Sequence, residues 1–173
     1  MNGRQEKKKY AKLISESELM TQAEAQGLIQ VLKRMLQQGN IMLPQMGNKT
    51  KIELCSVFSE KDRFTIIVNR SSRIRADKYT LMLRYGKDKG LLRIDVGGPE
   101  HTNPDGTIIP CPHIHIQQND VSAWDAWATE IPAVFGNVAD RIETFKTFLQ
   151  YCNVNNIASI EICEQSEMGC ENG

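Results

Sequence analysis

The sequence predicts an α+β domain in which about five strands form a mainly antiparallel sheet, with an N-terminal and a C-terminal helix packed on it. Three observations carry that expectation. Apolar residues recur at helical spacing near each end of the chain, and between them four runs alternate apolar and polar residues, separated by turn-rich breaks. No strands alternate with long helices, and the sequence holds no glycine-rich phosphate loop and no G-x-S-x-G elbow, so Rossmann, P-loop and α/β-hydrolase folds fail.

Residues 1–20 are polar and charged and read as a basic lead-in, partly frayed or helical. Thr21 with Glu24 three residues on has the form of a capping box. Leu28, Val31, Leu32, Met35 and Leu36 follow at helical spacing, which predicts a helix over about 22–38 stopped by Gly39. Gly39 to Thr50, with Pro44, reads as a loop. Strands are expected at Ile52–Phe58, Phe64–Val68, Tyr79–Tyr85 and Leu91–Val96, with a hairpin loop at Gly86–Gly90. Gly97–Pro112 is too rich in turn residues for regular structure, and His113–Gln117 resumes alternation as a fifth strand. Asn137 is expected to cap a helix whose stripe is Val138, Ile142, Phe145, Phe148 and Leu149, and a short strand-like run follows at Ile157–Ile162. A single domain is therefore expected over 21–162, with a polar tail over 163–173.

Composition narrows the class. The chain has 173 residues, 40% hydrophobic and 24% charged, which suits an ordinary globular protein and excludes a wholly disordered one. No apolar run approaches the roughly 20 residues needed to cross a bilayer, and the basic N-terminus has no apolar core of a secretory signal. Five cysteines, an odd number, favour a reducing cytoplasmic setting. The net charge of zero hides a division: Lys and Arg exceed Asp and Glu by 10 over residues 1–93 and fall short by 10 over residues 94–173.

All three histidines, His101, His113 and His115, fall within fifteen residues. On a strand, His113 and His115 project side by side. Asn103-Pro104-Asp105-Gly106 is a strong turn signature that would fold the preceding segment back and bring His101 near that pair. Three chemistries suit such a cluster. Neutral imidazoles bind Zn, Fe or Mn, with Asp105, Glu100 or Cys111 as a further ligand, and His-x-His on a strand is similar to the metal strand of cupins. Alternatively, imidazoles of near-neutral pKa share proton transfers on a phosphodiester while Arg84 and Arg93 stabilise its charge. In the third, the histidines brace the loop.

Six of the nine arginines lie between residues 63 and 93. Arg70, Arg73 and Arg75 with Lys78 form a basic turn region of the kind that binds nucleic acid, or that pairs with the acidic C-terminal half. Of Trp124 and Trp127, one is expected in the core and the other as a lid or partner anchor.

At Gly97-Gly98-Pro99-x-His101-x-Asn103-Pro104-Asp105-Gly106 and Pro112-His113-x-His115, with Arg84-Tyr85 before and Trp127-Ala128 after, the sequence resembles a family of uncharacterised small bacterial and prophage proteins over about residues 50–150. The Arg-Tyr strand and Pro-His-x-His cluster also resemble the TumE-type toxins of toxin–antitoxin loci. The leading expectation is a toxin-like ribonuclease or related phosphodiesterase acting on RNA, with His101, His113 and His115 as the acid–base or metal-binding group. Arg84, Arg93, Asn103 and Asp105 would bind substrate, and an antitoxin is an expected partner. One alternative is a non-catalytic phage or prophage factor that binds a host defence protein or nucleic acid. Another is a metal enzyme of cupin-like chemistry.

Overall fold

The computed structural model describes residues 20–118 and 123–164, so the basic lead-in up to residue 19 and the tail beyond residue 164 lie outside the described residues. In chain order the elements are α1 (Gln22–Gln30), β1 (Lys33–Met35), β2 (Asn40–Leu43), β3 (Asn48–Ser56), β4 (Arg63–Arg70), β5 (Tyr79–Tyr85) and β6 (Lys89–Val96). There follow β7 (His101–Thr102), β8 (Ile108–Ile109), β9 (His113–Ile116), β10 (Thr129–Glu130), α2 (Arg141–Tyr151) and β11 (Glu161–Glu164). Among the described residues, no helix is long and apolar enough to cross a membrane.

The expected α+β architecture is present, with seven strands rather than five in the main sheet, ordered β1-β3-β4-β5-β6-β9-β10 and antiparallel throughout. Alternation along β4 and β5 buries Phe64, Ile66, Val68, Leu81 and Leu83 on one face. These side chains, with Leu92 and Ile94 of β6 and Ile114 of β9, join Leu28 and Ile29 of α1 and Phe145, Phe148 and Leu149 of α2 in one continuous core. The other face of the sheet is therefore free to carry polar chemistry.

α1 starts at the capping box: Thr21 Oγ1 accepts from Glu24 N–H at 3.2 Å, and Glu24 Oε2 accepts from Thr21 N–H at 2.8 Å. It stops at Gln30 and not near residue 38, because the next residues make better tertiary bonds as strand β1. Lys33 is fully buried there, and its ammonium donates to the carbonyls of Ile29 (2.7 Å), Val31 (2.8 Å) and Cys152 (2.9 Å). One cation thus satisfies carbonyls at the C-terminal ends of both helices, where the helix dipoles favour positive charge. Burial pulls the Lys33 pKa down to about 7, but three acceptors call for three N–H donors, which only the ammonium supplies.

Three further boundaries differ from expectation. The segment expected as a loop over 39–50 holds β2, which pairs in parallel with β11 through Ile41 opposite Ile162. The side-chain cap of α2 is Asp140, which accepts from Glu143 N–H at 3.0 Å, while Asn137 accepts from Ala139 N–H one turn earlier. Within 97–112, β7 and β8 form a short ribbon closed by the turn at Asn103–Gly106, with Gly106 at φ 86°.

Candidate metal centre

The face opposite the core is built by register. Directly opposed residues share a face, and β6 pairs with β9 so that Asp95 lies opposite His113 and Arg93 opposite His115. The β7–β8 ribbon then folds His101 over the pair. The three rings meet with centroid separations of 4.7 Å (His101–His115), 5.1 Å (His113–His115) and 5.7 Å (His101–His113). One ring nitrogen from each lies within 4.8 Å of the others.

Each ring is held by a peptide carbonyl. His101 Nε2 faces Ala126 O at 2.8 Å, His113 Nδ1 faces Pro110 O at 3.2 Å, and His115 Nδ1 faces Trp127 O at 3.1 Å. A carbonyl only accepts, so these three nitrogens carry the hydrogens. The remaining nitrogens, His101 Nδ1, His113 Nε2 and His115 Nε2, are then lone-pair donors in the neutral state. Fixing one N–H to a backbone carbonyl and leaving the other nitrogen basic is the outer-shell arrangement that orients metal-ligating imidazoles.

Asp95 supplies the negative charge. Its Oδ2 lies 3.3 Å from His115 Nε2 and 3.5 Å from His113 Nε2, and its Oδ1 accepts from Thr80 Oγ1 at 3.1 Å. Burial opposes ionisation, but the hydrogen bond that His115 donates from Nε2 when its ring is doubly protonated, the charge of Arg93 and the Thr80 hydroxyl outweigh it and hold the carboxyl at about 2. Burial lowers the His113 pKa, against the pull of the Pro110 carbonyl, and so favours its neutral, ligating form.

Arg93 links the group to the segment after β9. Its guanidinium bonds Asp95 Oδ2 at 3.0 Å, approaches His115 Nε2 at 3.1 Å through Nη2, and pairs with Asp125 through Nη1. Trp124 lies beside it, with the ring centroid 6.0 Å from Arg93 Cζ. The same ring lies over Gly90, where a Cβ would stand 2.1 Å from an indole carbon, so only glycine admits it. Neither tryptophan joins the core cluster; both are half-buried, and Trp127 contributes its carbonyl.

The other expected site residues are distributed differently. Asn103 is buried and acts on the backbone, donating to Ala128 O at 3.1 Å and accepting from Ala128 N–H at 2.8 Å. Asp105 is exposed at the ribbon turn, where it accepts from Thr107 N–H. Cys111 Sγ is engaged with the Gly98 N–H and the Asp95 carbonyl. Arg70 is 5% exposed and donates to Pro44 O and Ala76 O, so it braces loops, while Arg75 pairs with Asp77. Arg73 and Lys78 are exposed, and Arg84 shares the histidine face, with its Nε 3.1 Å from Met82 Sδ. Beside the cluster opens a polar cleft of about 410 Å³, bordered by His101, His113, Asp95, Lys78, Ser71 and Glu100.

Sequence reasoning missed Asp95, Thr80 and Asp125. Asp95 stands two residues after Arg93 and thus on its face, but its approach to the histidines depends on the β6–β9 register, which no local pattern encodes.

Neither a curated protein nor a solved structure matches the chain. A family model described as a family of unknown function, DUF6978, matches residues 20–154, from the start of α1 through the histidine centre and α2. The chain belongs to that family.

Proposed function

We propose that His101, His113 and His115, with Asp95 as a fourth donor, hold a divalent transition-metal ion, and that the adjoining cleft presents it to a phosphodiester such as RNA. The observation that carries this reading is the convergence of three backbone-anchored imidazoles on one point. A tetrahedral ion with bonds of about 2.1 Å needs donors about 3.4 Å apart, so binding would draw the rings together by up to about 1.4 Å. Nitrogen and carboxylate donors suit Zn, Fe or Mn. A bound ion would supply a Lewis acid and a more acidic water at neutral pH.

Burial favours the metal over direct acid–base work by the imidazoles. His115 is fully buried and His113, though it borders the cleft, is 4% exposed, so the rings offer little surface to a bulky phosphodiester, whereas an ion held on their cleft side would be open to one. Lys78, without an ion pair to a described residue, and Asn69, Ser71 and Thr80 give the cleft a cation and hydrogen-bonding groups for an anionic substrate, alongside the carboxylates of Asp95 and Glu100.

Metal analysis of the purified chain tests this: about one Zn, Fe or Mn per chain is expected, lost on chelation and in the His113→Ala/His115→Ala variant. Cleavage of RNA should follow metal content. A chain that takes up no metal under saturating supply, or cuts RNA equally well in chelator, overturns the reading. Tight metal without any cleavage would instead favour the non-catalytic binding factor.

A further inference from the structure

The histidine centre lies near one end of two rows of side chains that cross the sheet, the row through His113 running on to Glu130 of β10. Successive Cα partners place Lys49, Asn69, Thr80, Asp95 and His113 in one row. The neighbouring row runs Lys51, Ile67, Met82, Arg93 and His115. Residues directly opposed across antiparallel strands lie on the same face, so both rows share the face that carries the centre. With strands about 4.8 Å apart, four steps set the two lysines about 19 Å from the histidines. The cleft already covers the rows from Asn69, Thr80 and Met82 onward, and Lys49 and Lys51 extend it beyond the cleft on the exposed side of β3.

Over β3 to β5 the free charge on this face is mainly positive. Lys49, Lys51, Arg63 and Arg84 lie on it, and none of them forms an ion pair with a described residue. Lys78 and Arg73 flank it in the β4–β5 connection, likewise without an ion pair to a described residue. The acidic groups on the face are fewer: Asp95 pairs with Arg93, exposed Glu53 accepts from Thr65 Oγ1 but keeps its charge, and exposed Glu130 stands opposite His113 at the far end. Between the cations, half-buried Ile67 and Met82 present apolar surface. Spaced cations with apolar side chains between them match an extended chain whose phosphates and base faces are both open, whereas a duplex keeps its base faces stacked inside.

We infer that this sheet face is a binding track for single-stranded nucleic acid, which runs from Lys49 and Lys51 across β4 and β5 and delivers a backbone phosphate to the histidine centre. The inference rests on the metal reading for its destination, but not for binding itself. Between the lysines and the histidines neither row holds an aromatic side chain, so base contact is limited to Ile67 and Met82 and reads no sequence, while the phosphates supply most of the affinity.

The test uses the full chain in chelator, so that binding is read without cleavage, with a fluorescein-labelled single-stranded RNA twelve-mer and a duplex of the same length. Anisotropy should show the single strand binding more tightly than the duplex. Its affinity should fall with salt at a slope of about −0.7 for each cation engaged. Lys49→Gln/Lys51→Gln/Arg84→Gln should flatten that slope by about 2 and weaken binding at least about tenfold at low salt, with metal content unchanged. The exposed-site pair Lys49→Glu/Lys51→Glu, which touches no buried group, should weaken binding further. Equal binding by these variants, an unchanged salt slope, a preference for the duplex, or no binding by the parent chain overturns the track. Binding by a parent chain that, assayed separately, takes up no metal even under saturating supply would sustain the track and defeat the metal reading.

Discussion

Replacing Asn103 by Ala separates a clamp on the backbone from a contact with substrate. The side chain is 7% exposed and spans both polar groups of Ala128, itself 1% exposed. Ala128 follows Ala126 and Trp127, whose carbonyls hold His101 and His115. Truncation removes two hydrogen bonds and leaves a buried N–H and a buried C=O unpaired. Each orphaned group costs about 1–3 kcal/mol, and partial entry of water brings the expected total to about 3 kcal/mol. If the loss is global, it appears as that decrease in unfolding free energy in urea. If only the 123–128 segment loosens, the same energy appears as metal affinity weakened about a hundredfold in a competitive chelator titration, at about 1.4 kcal/mol per tenfold. A variant with parental stability and metal affinity but a raised KM for RNA would refute the clamp and restore Asn103 to the substrate.

Two other perturbations reach parts of the molecule away from the centre. Lys33→Met strips three carbonyls at two helix ends of their shared donor and should cost about 3 kcal/mol in chemical denaturation; a loss under about 1 kcal/mol would show that the carbonyls find other partners. Burial, with the charge and hydrogen bond of Asp62, pushes the Tyr85 phenol up to about 12 from an ordinary value near 10. Its folded pKa is the higher one, so its contribution to stability is complete below pH about 10 and is lost as pH rises toward about 12. Tyr85→Phe should flatten the alkaline limb of the stability profile in that window, and an unchanged limb would place the titration elsewhere.

Local rules made the meander and the histidine cluster legible. Phe64–Val68 and Tyr79–Tyr85 alternate strongly enough that burial of one face dictates strand and orientation, and His113 and His115 are neighbours by the same period. The Asn103–Gly106 turn signature returned the chain as expected, and with it His101. Where reasoning fell short, the deciding contact lies far away in sequence. Leu32 to Leu36 hold a helical pattern, but Lys33 finds Cys152 and Ser56, and the segment becomes a strand. The parallel pairing of β2 with β11 joins residues about 120 positions apart, and the approach of Asp95 to the imidazoles depends on which strand follows β6 in space. Propensity reads neither.

The three anchors of the imidazoles are peptide oxygens, and this bears on how the centre could vary among sequences. A carbonyl cannot be substituted away: exchange of the side chain at Pro110, Ala126 or Trp127 leaves the acceptor in place as long as the backbone path is kept. The side-chain identities that matter are displaced to residues that set the path, such as Asn103 through Ala128 and Gly90 beneath Trp124. A pattern built only on the histidines and the residues touching them would therefore pass over the positions that hold the rings in place.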